Sequence, residues 1–278
     1  MNRRSPGFTL VELLVTVVVT AAILAAVMQA VVVQQRTYRE QMGILNARQT
    51  ARTALELIGT ELREISATGG DIYAVSRDSI TFRAFRKVGV VCARPSTNRI
   101  EIWELGDKFV NGDSALVFSN PDPEAQPDGS WIPISVQQRD ASGTSCTEAW
   151  GNYPLTVLQM FSTYSATQVA PGALVRGFVP VTYGRYQING EWVIGRREGK
   201  GPVVPLLGPI ADVDGLTFRY FDVNDVNITP LPNDVMDENT RRRIRRIEIA
   251  VRARRGDVGT STVVDSLVTQ VALRGNGV

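Results

Sequence analysis

The sequence predicts an α+β protein in which one long N-terminal helix packs on an antiparallel β-sheet, and three observations carry that prediction. An apolar run of 26 residues extends from Phe8 to Val33. Apolar residues then recur at gaps of three and four as far as Ile65, the period of an amphipathic helix. After Gly70 the pattern changes to short segments of alternating character separated by Gly, Pro, Asn and Asp, which reads as antiparallel strands.

The apolar run contains one charge, Glu12, and only Thr9, Thr16, Thr20 and Gln29 as further polar positions, and it is long enough to span a bilayer. Arg3 and Arg4 precede it, so the positive-inside rule keeps the N-terminus in the cytoplasm and sends everything after Val33 across the membrane. A secretory signal has a shorter apolar core followed by a small-residue cleavage site; here the glycine expected at the cut comes before the apolar run, which therefore survives processing. Glu12 is the anomaly, because a carboxylate at the bilayer centre costs about 2 to 3 kcal/mol on insertion scales and calls for a counter-charge.

The run Gly7-Phe8-Thr9-Leu10-Val11-Glu12-Leu13-Leu14-Val15, behind a short basic leader, resembles the prepilin family. The resemblance implies a pilin-like fold and cleavage after Gly7 by the membrane prepilin peptidase. It also implies methylation of the new amino terminus on Phe8 and pairing of Glu12 with a Phe8 amine in the assembled filament. The physical reading agrees, since an anion four residues beyond a freed ammonium can neutralise its own or a neighbour's N-terminus and so fix the register between subunits.

Beyond the membrane half, Ile44, Ala47, Ala51, Leu55, Ile58, Leu62 and Ile65 form the stripe that should lie under the protein's own sheet, and Ser66 to Gly70 supplies a stop. A helix from about Phe8 to Ile65 is roughly 85 to 90 Å long at 1.5 Å per residue. Strands are expected at Ser79–Phe85, Arg99–Leu105, Ala115–Ser119, Trp131–Gln137, Val181–Ile188, Glu191–Gly195, Leu216–Asp222, Ile247–Arg254 and Ser266–Leu273, with a hairpin turn at Asn189-Gly190. Pro121–Gly129 and Ile228–Thr240 read as surface loops. The expected organisation is a leader (1–7), a transmembrane assembly half of the helix (8–33), an amphipathic half (34–66) and a β-rich exported domain (67–278). The patterns at Gly215–Asp222, Arg245–Ile249 and Val271–Arg274 resemble PilW-type minor pilins and the related J-type pseudopilins of type II secretion.

Composition narrows the chemistry. The 278 residues are 44% hydrophobic, as in ordinary folded proteins, and removing a leader that holds Arg3 and Arg4 leaves 28 basic and 28 acidic side chains. Net charge therefore gives no support to polyanion binding. Histidine is absent, which removes imidazole-dependent catalysis, and no acidic pair stands in a recognisable catalytic context; neither an enzyme nor a cofactor is expected. Cys92 and Cys146, both on the exported side, are candidates for one disulfide, the alternative being two separate buried thiols.

Two weaker site patterns remain. Arg241, Arg242, Arg243, Arg245 and Arg246 form the densest basic run and are a candidate anion-binding patch; the plainer reading is a solvated strand entrance with partners among Asp234, Asp237 and Glu238. Asp212, Asp214, Asp222, Asn224, Asp225 and Asn227 are closely spaced oxygen donors, a weak calcium pattern that is not an EF-hand and that turn chemistry explains equally.

The function expected is that of a low-copy minor pilin that starts or caps a type IV pilus, with other minor pilins, the major pilin, prepilin peptidase, the inner-membrane assembly platform and membrane lipid as partners. A J-like pseudopilin of a type II secretion system is the alternative within the same class. A tip adhesin or DNA-uptake receptor is the alternative from a different class, although nucleic acid is not the expected partner.

Overall fold

The computed structural model describes residues 9–120, 129–142, 155–231, 234–254 and 263–274. One uninterrupted helix, α1 (Leu10–Arg63), runs for 54 residues, about 80 Å. Its N-cap is Thr9, extended in backbone, whose hydroxyl accepts the Glu12 amide at 3.3 Å. It ends at Arg63, before the expected Ser66–Gly70 stop, where the Ser66 amide donates to the Asp71 carboxylate at 2.7 Å.

The strands are β1 (Ile72–Val75), β2 (Ser79–Ser96), β3 (Arg99–Gly106), β4 (Ser114–Ser119), β5 (Ser130–Asp140), β6 (Leu155–Met160), β7 (Leu174–Ile188), β8 (Glu191–Glu198), β9 (Val203–Leu207), β10 (Leu216–Phe221), β11 (Arg246–Arg254) and β12 (Val263–Ala272). A short helix, α2 (Glu238–Arg242), capped by Asp237, lies between β10 and β11, in a stretch that the sequence reads as loop and strand entrance. All pairings are antiparallel. β10, β11 and β12 form a three-stranded sheet, and β1 to β9 form the second.

The three-stranded sheet is the seat of α1, which packs on β11 and β12. Ile247, Ile249, Val251 and Ala253 of β11 are buried while the residues between them are not, the one-sided alternation that the sequence predicts. The helix answers with Ala47, Ala51, Ala54, Leu55, Ile58 and Leu62, joined by Ile65 just past its end, in one shared core. Ile44 departs from the expected stripe: it is 38% exposed, one turn before the sheet's cover begins, and Ala54 takes a place that the spacing did not assign.

The larger sheet closes on itself. β2, β3, β6, β5, β4 and β7 each bond to the next, and β7 returns to β2, so six strands form a barrel. Val91, Ile100, Ile102, Val117, Ile134, Val136, Leu158 and Val175 fill it, a core that shares no residue with the one under α1. β2 and β7 serve both cores, exchanging partners along their length: β2 pairs with β1 in its first half and β3 in its second. A bulge between Phe85 and Lys87 marks the exchange. It moves the inward set of β2 from even positions (Ile80, Phe82, Ala84) to odd ones such as Val91, because one extra residue reverses a period of two. This is why the sequence pattern ends at Phe85 when the strand continues to Ser96.

Three strands escaped the sequence pattern for physical reasons. β1 has four residues, β9 carries Pro205, and β6 is a six-residue run with Val157, Leu158 and Met160 buried. β7 begins at Leu174, ahead of the expected Val181, because Gly177 and Pro180 disguise it; a Cβ on Gly177 would stand 2.7 Å from the Phe109 ring. The β7–β8 hairpin turns at Asn189 and Gly190, with φ of 53° and 82°, which is the left-handed geometry that an Asn-Gly pair tolerates.

One end of the barrel is closed by charge. Glu104 continues the inward face of β3 and is gripped by Arg139 of β5 through two bonds, at 3.2 and 2.6 Å; the Thr156 hydroxyl and the Phe109 amide donate to it at 2.7 and 2.8 Å. Burial works against the charged carboxylate, but the bonds from Arg139, Thr156 and Phe109 outweigh it and hold Glu104 below its ordinary value. A carboxyl lowered in the fold stabilises it above the unfolded value of about 4.3, and that contribution is lost as pH falls through the folded value. Glu104→Ala is therefore expected to lower stability at neutral pH by about 2 to 3 kcal/mol by denaturant titration. The difference from wild type should shrink as pH falls below 4, and a gap constant with pH would contradict the assignment.

Candidate processing and assembly site

The candidate surface at the N-terminus is built from one helix on which, among the described residues, nothing packs. From Leu10 to Val33 the side chains of α1 are exposed, including Leu14, Ile23, Leu24 and Met28, and this stretch is long and apolar enough to cross a membrane. Gly7 and Phe8, the expected cleavage and methylation positions, lie outside the described residues.

Polar groups in the apolar run are largely answered within the helix itself. The Thr16 hydroxyl donates to the Leu13 carbonyl at 2.9 Å, Thr20 to the Thr16 carbonyl at 2.6 Å, and Thr9 is occupied as the cap. The Glu12 carboxylate is different: among the described residues it has no ion pair and no side-chain bond, and it stands exposed in the first turn of the helix. In lipid such a group needs a cation supplied from outside the described fold. The helix N-terminus, with its unsatisfied amides, lies one turn away and favours the same negative charge.

The basic run is not a free patch. Arg241 bonds the Ile72 and Met236 carbonyls, and Arg242 bonds Glu238 and the Thr68 carbonyl. Arg243 pairs with Asp222 at 2.9 Å, Arg245 bonds the Arg242 and Ile244 carbonyls, and Arg246 pairs with Asp225 over the Phe221 ring. Of the expected acidic partners only Glu238 pairs with this run; Asp237 instead caps α2. The guanidiniums thus tie α2 and the start of β11 to β1, to the β10 end and to the post-helix turn, a structural task for most of their donors.

The calcium pattern resolves into a turn. Asp222 is buried, its Oδ1 accepts the Asn224 and Val226 amides at 2.9 and 3.1 Å, and its Oδ2 takes Arg243. Burial pushes its carboxyl upward, but those amides and the guanidinium hold it below the ordinary value. Asp225 occupies left-handed backbone at φ 61° and faces Arg246, and the Asn227 side chain accepts the Thr229 amide. Asp212 accepts the Val213 amide and Asp214 pairs with Arg77. Among the described residues no group of three or more metal-ligating side chains is disposed around a common point. Cys92 lies on β2 with its sulfur 3.3 Å from the Glu101 carbonyl oxygen; Cys146 is outside the described residues.

Two clusters were invisible in the sequence. Glu61 of α1 accepts Arg86 of β2 at 2.5 Å and lies 3.8 Å from Arg196 of β8, so a carboxylate on the helix fastens it to the larger sheet. On the outer face, Arg83 and Arg176 alternate with aromatic rings: Arg83 with Tyr73 and Phe178, Arg176 with Phe85 and Trp131, at 3.6 to 5.5 Å. Neither cluster has a local signal, because its members are brought together only by strand pairing.

Residues 2–28 match the prokaryotic N-terminal methylation motif. That stretch holds the basic leader, Gly7, Phe8, Glu12 and most of the lipid-length helix, and it supports a type IV pilin-like prepilin, processed by prepilin peptidase and acting with a pilus-type system. The motif and the apolar helix are consistent with a single-pass inner-membrane protein. No curated protein and no solved structure matches the chain.

Proposed function

We propose that this chain is a minor pilin, a low-copy structural subunit that helps to start or cap a type IV pilus, inserted with its N-terminus inside and its β-rich domain outside. The observation that carries the reading is Glu12, a carboxylate without a partner among the described residues, in the first turn of a lipid-length helix and within the matched methylation motif. A freed and methylated Phe8 amine is the cation that such a carboxylate lacks, and pairing between neighbours sets their axial register. The segments that resemble PilW-type minor pilins, 215–222, 245–249 and 271–274, fall on or beside β10, β11 and β12, the sheet that seats α1, which supports a shared scaffold. The second, separately cored barrel suits a subunit that displays a domain and is used sparingly. Catalysis is not part of the proposal, nor is DNA uptake through the basic run, each of whose guanidiniums already has a carbonyl or carboxylate partner in the chain. A J-like pseudopilin of a secretion system shares all of these features and is separated from a pilus subunit by the assembly with which the chain copurifies.

Mass spectrometry of the chain purified from its native membrane is expected to show a mature N-terminus at methylated Phe8. A chain that still begins at Met1, with its domain in the cytosol, would overturn the reading. Glu12→Ala should be processed and inserted normally yet enter the assembled fraction at least tenfold less than wild type, measured by immunoblot of sheared filaments. We further propose that Cys92 and Cys146 form the disulfide, since Cys92 is not a free thiol. Alkylation of denatured protein without reductant should leave both cysteines unlabelled; two labels would refute the bridge.

A further inference from the structure

Strand edges carry unpaired N–H and C=O groups that template a further strand, and folded proteins blunt them with short length, proline, charge or cover. Three of the outer edges here are blunted. β1 has four residues and its Ile72 carbonyl is taken by Arg241. β9 has Pro205 at the middle of five residues. β10 is covered: the Phe218 amide donates to the Arg77 carbonyl, the Tyr220 amide to the Thr229 hydroxyl, and the Ile228 amide to the Tyr220 carbonyl.

Among the described residues, β12 has none of these devices from Ser266 to Val271. It is ten residues long, pairs with β11 on one side only, and from Ser266 to Val271 contains no charge and no proline. The Asp265 carboxylate takes Arg48 of α1 at 2.9 Å and the Ser266 amide; beyond these, no backbone group of residues 266–271 bonds to a described backbone group outside the β11 ladder. Beside the edge, α1 and β12 enclose a groove of about 310 Å³ lined by Arg52, Glu56, Thr60, Arg63, Leu267 and Val268. Val268 is 57% exposed, and Arg52 and Arg63 form no ion pair among the described residues.

We propose that β12 is a docking edge for an extended strand of a different subunit anchored beside this one, a strand that carries carboxylates toward Arg52 and Arg63. The inference rests on the pilin-like reading, which places neighbouring apolar helices alongside α1. A second copy of this chain does not suit the edge. Antiparallel pairing of β12 with itself would reverse one α1 relative to the other, and two such helices cannot enter one membrane from the same side. A two-fold along the strands would set each outward amide against its own copy, so that donors meet donors. Head-to-tail pairing fails because the other edges of the described strands are blunted. Strand addition supplies main-chain bonds for affinity and alternate side-chain pockets for specificity, and here the groove provides the pockets.

The test uses the full chain in its native membrane. Amides of residues 265–271 should exchange at least tenfold more slowly in the native assembly than in the detergent-isolated chain. Val268→Lys should keep the wild-type melting temperature and mature N-terminus but enter the assembly at least tenfold less, while Val268→Thr enters normally. Equal entry of Val268→Lys, or unchanged exchange, overturns strand docking alone. A wild-type chain that is never processed and never enters an assembly overturns the pilin-like reading together with it. If β12 is instead protected in an isolated two-copy particle of this chain, the assignment to a different subunit is wrong.

Discussion

One helix has to serve two solvents. The buried residues of α1 begin at Ala47, and from Leu10 to Arg39 the helix is exposed throughout. Continuity matters because a helix satisfies its own backbone bonds, the requirement for any segment that crosses lipid, and because the same rod then carries its orientation into the domain. The seat of the rod is the β11 face of Ile247, Ile249, Val251 and Ala253, and Glu61 adds a charged fastening to the larger sheet through Arg86. Small residues at Ala47, Ala51 and Ala54 let backbone and sheet approach closely where the helix first meets its own sheet.

The second architectural decision belongs to β2 and β7. Both are long enough to join two cores, and a single bulge lets β2 keep apolar residues on one face through both. The barrel that results encloses its own interior and is closed at one end by the Glu104–Arg139 pair. A domain built in this way holds its distal lobe on the seat by strands that never break, so the barrel is positioned by the ladder itself and not by a linker. Full closure also removes edges from that lobe, which leaves β12, next to the helix, as the long uncovered one among the described strands.

Electrostatics in this protein is mostly internal. The arginine run that looks like a polyanion site is spent on carbonyls and on Asp222, Asp225 and Glu238, and the oxygen-rich stretch is spent on turn amides, on Arg77 and on Arg243 and Arg246 of that run. The two patterns explain each other. Glu12 stands apart from this economy, since its partner is not in the described chain.

The sequence by itself determined the long helix, its lipid-length first half, the anomalous carboxylate and the one-sided alternation of β11, because each is a local signal: a run, a period or a spacing that sterics and solvent enforce residue by residue. Strand positions were legible wherever the period of two persisted. They were lost at the Phe85 bulge, at Gly177 and Pro180, and in the short β1, where one residue more or less erases the pattern. Only the tertiary structure decided that six strands close into a barrel, that the arginines of 241–246 find carbonyl and carboxylate partners in the fold, and that Glu61 meets Arg86, 25 residues further along the chain. Such contacts depend on which strands pair and in what register, and pairing is settled by the joint burial of distant segments, a quantity that no local window contains.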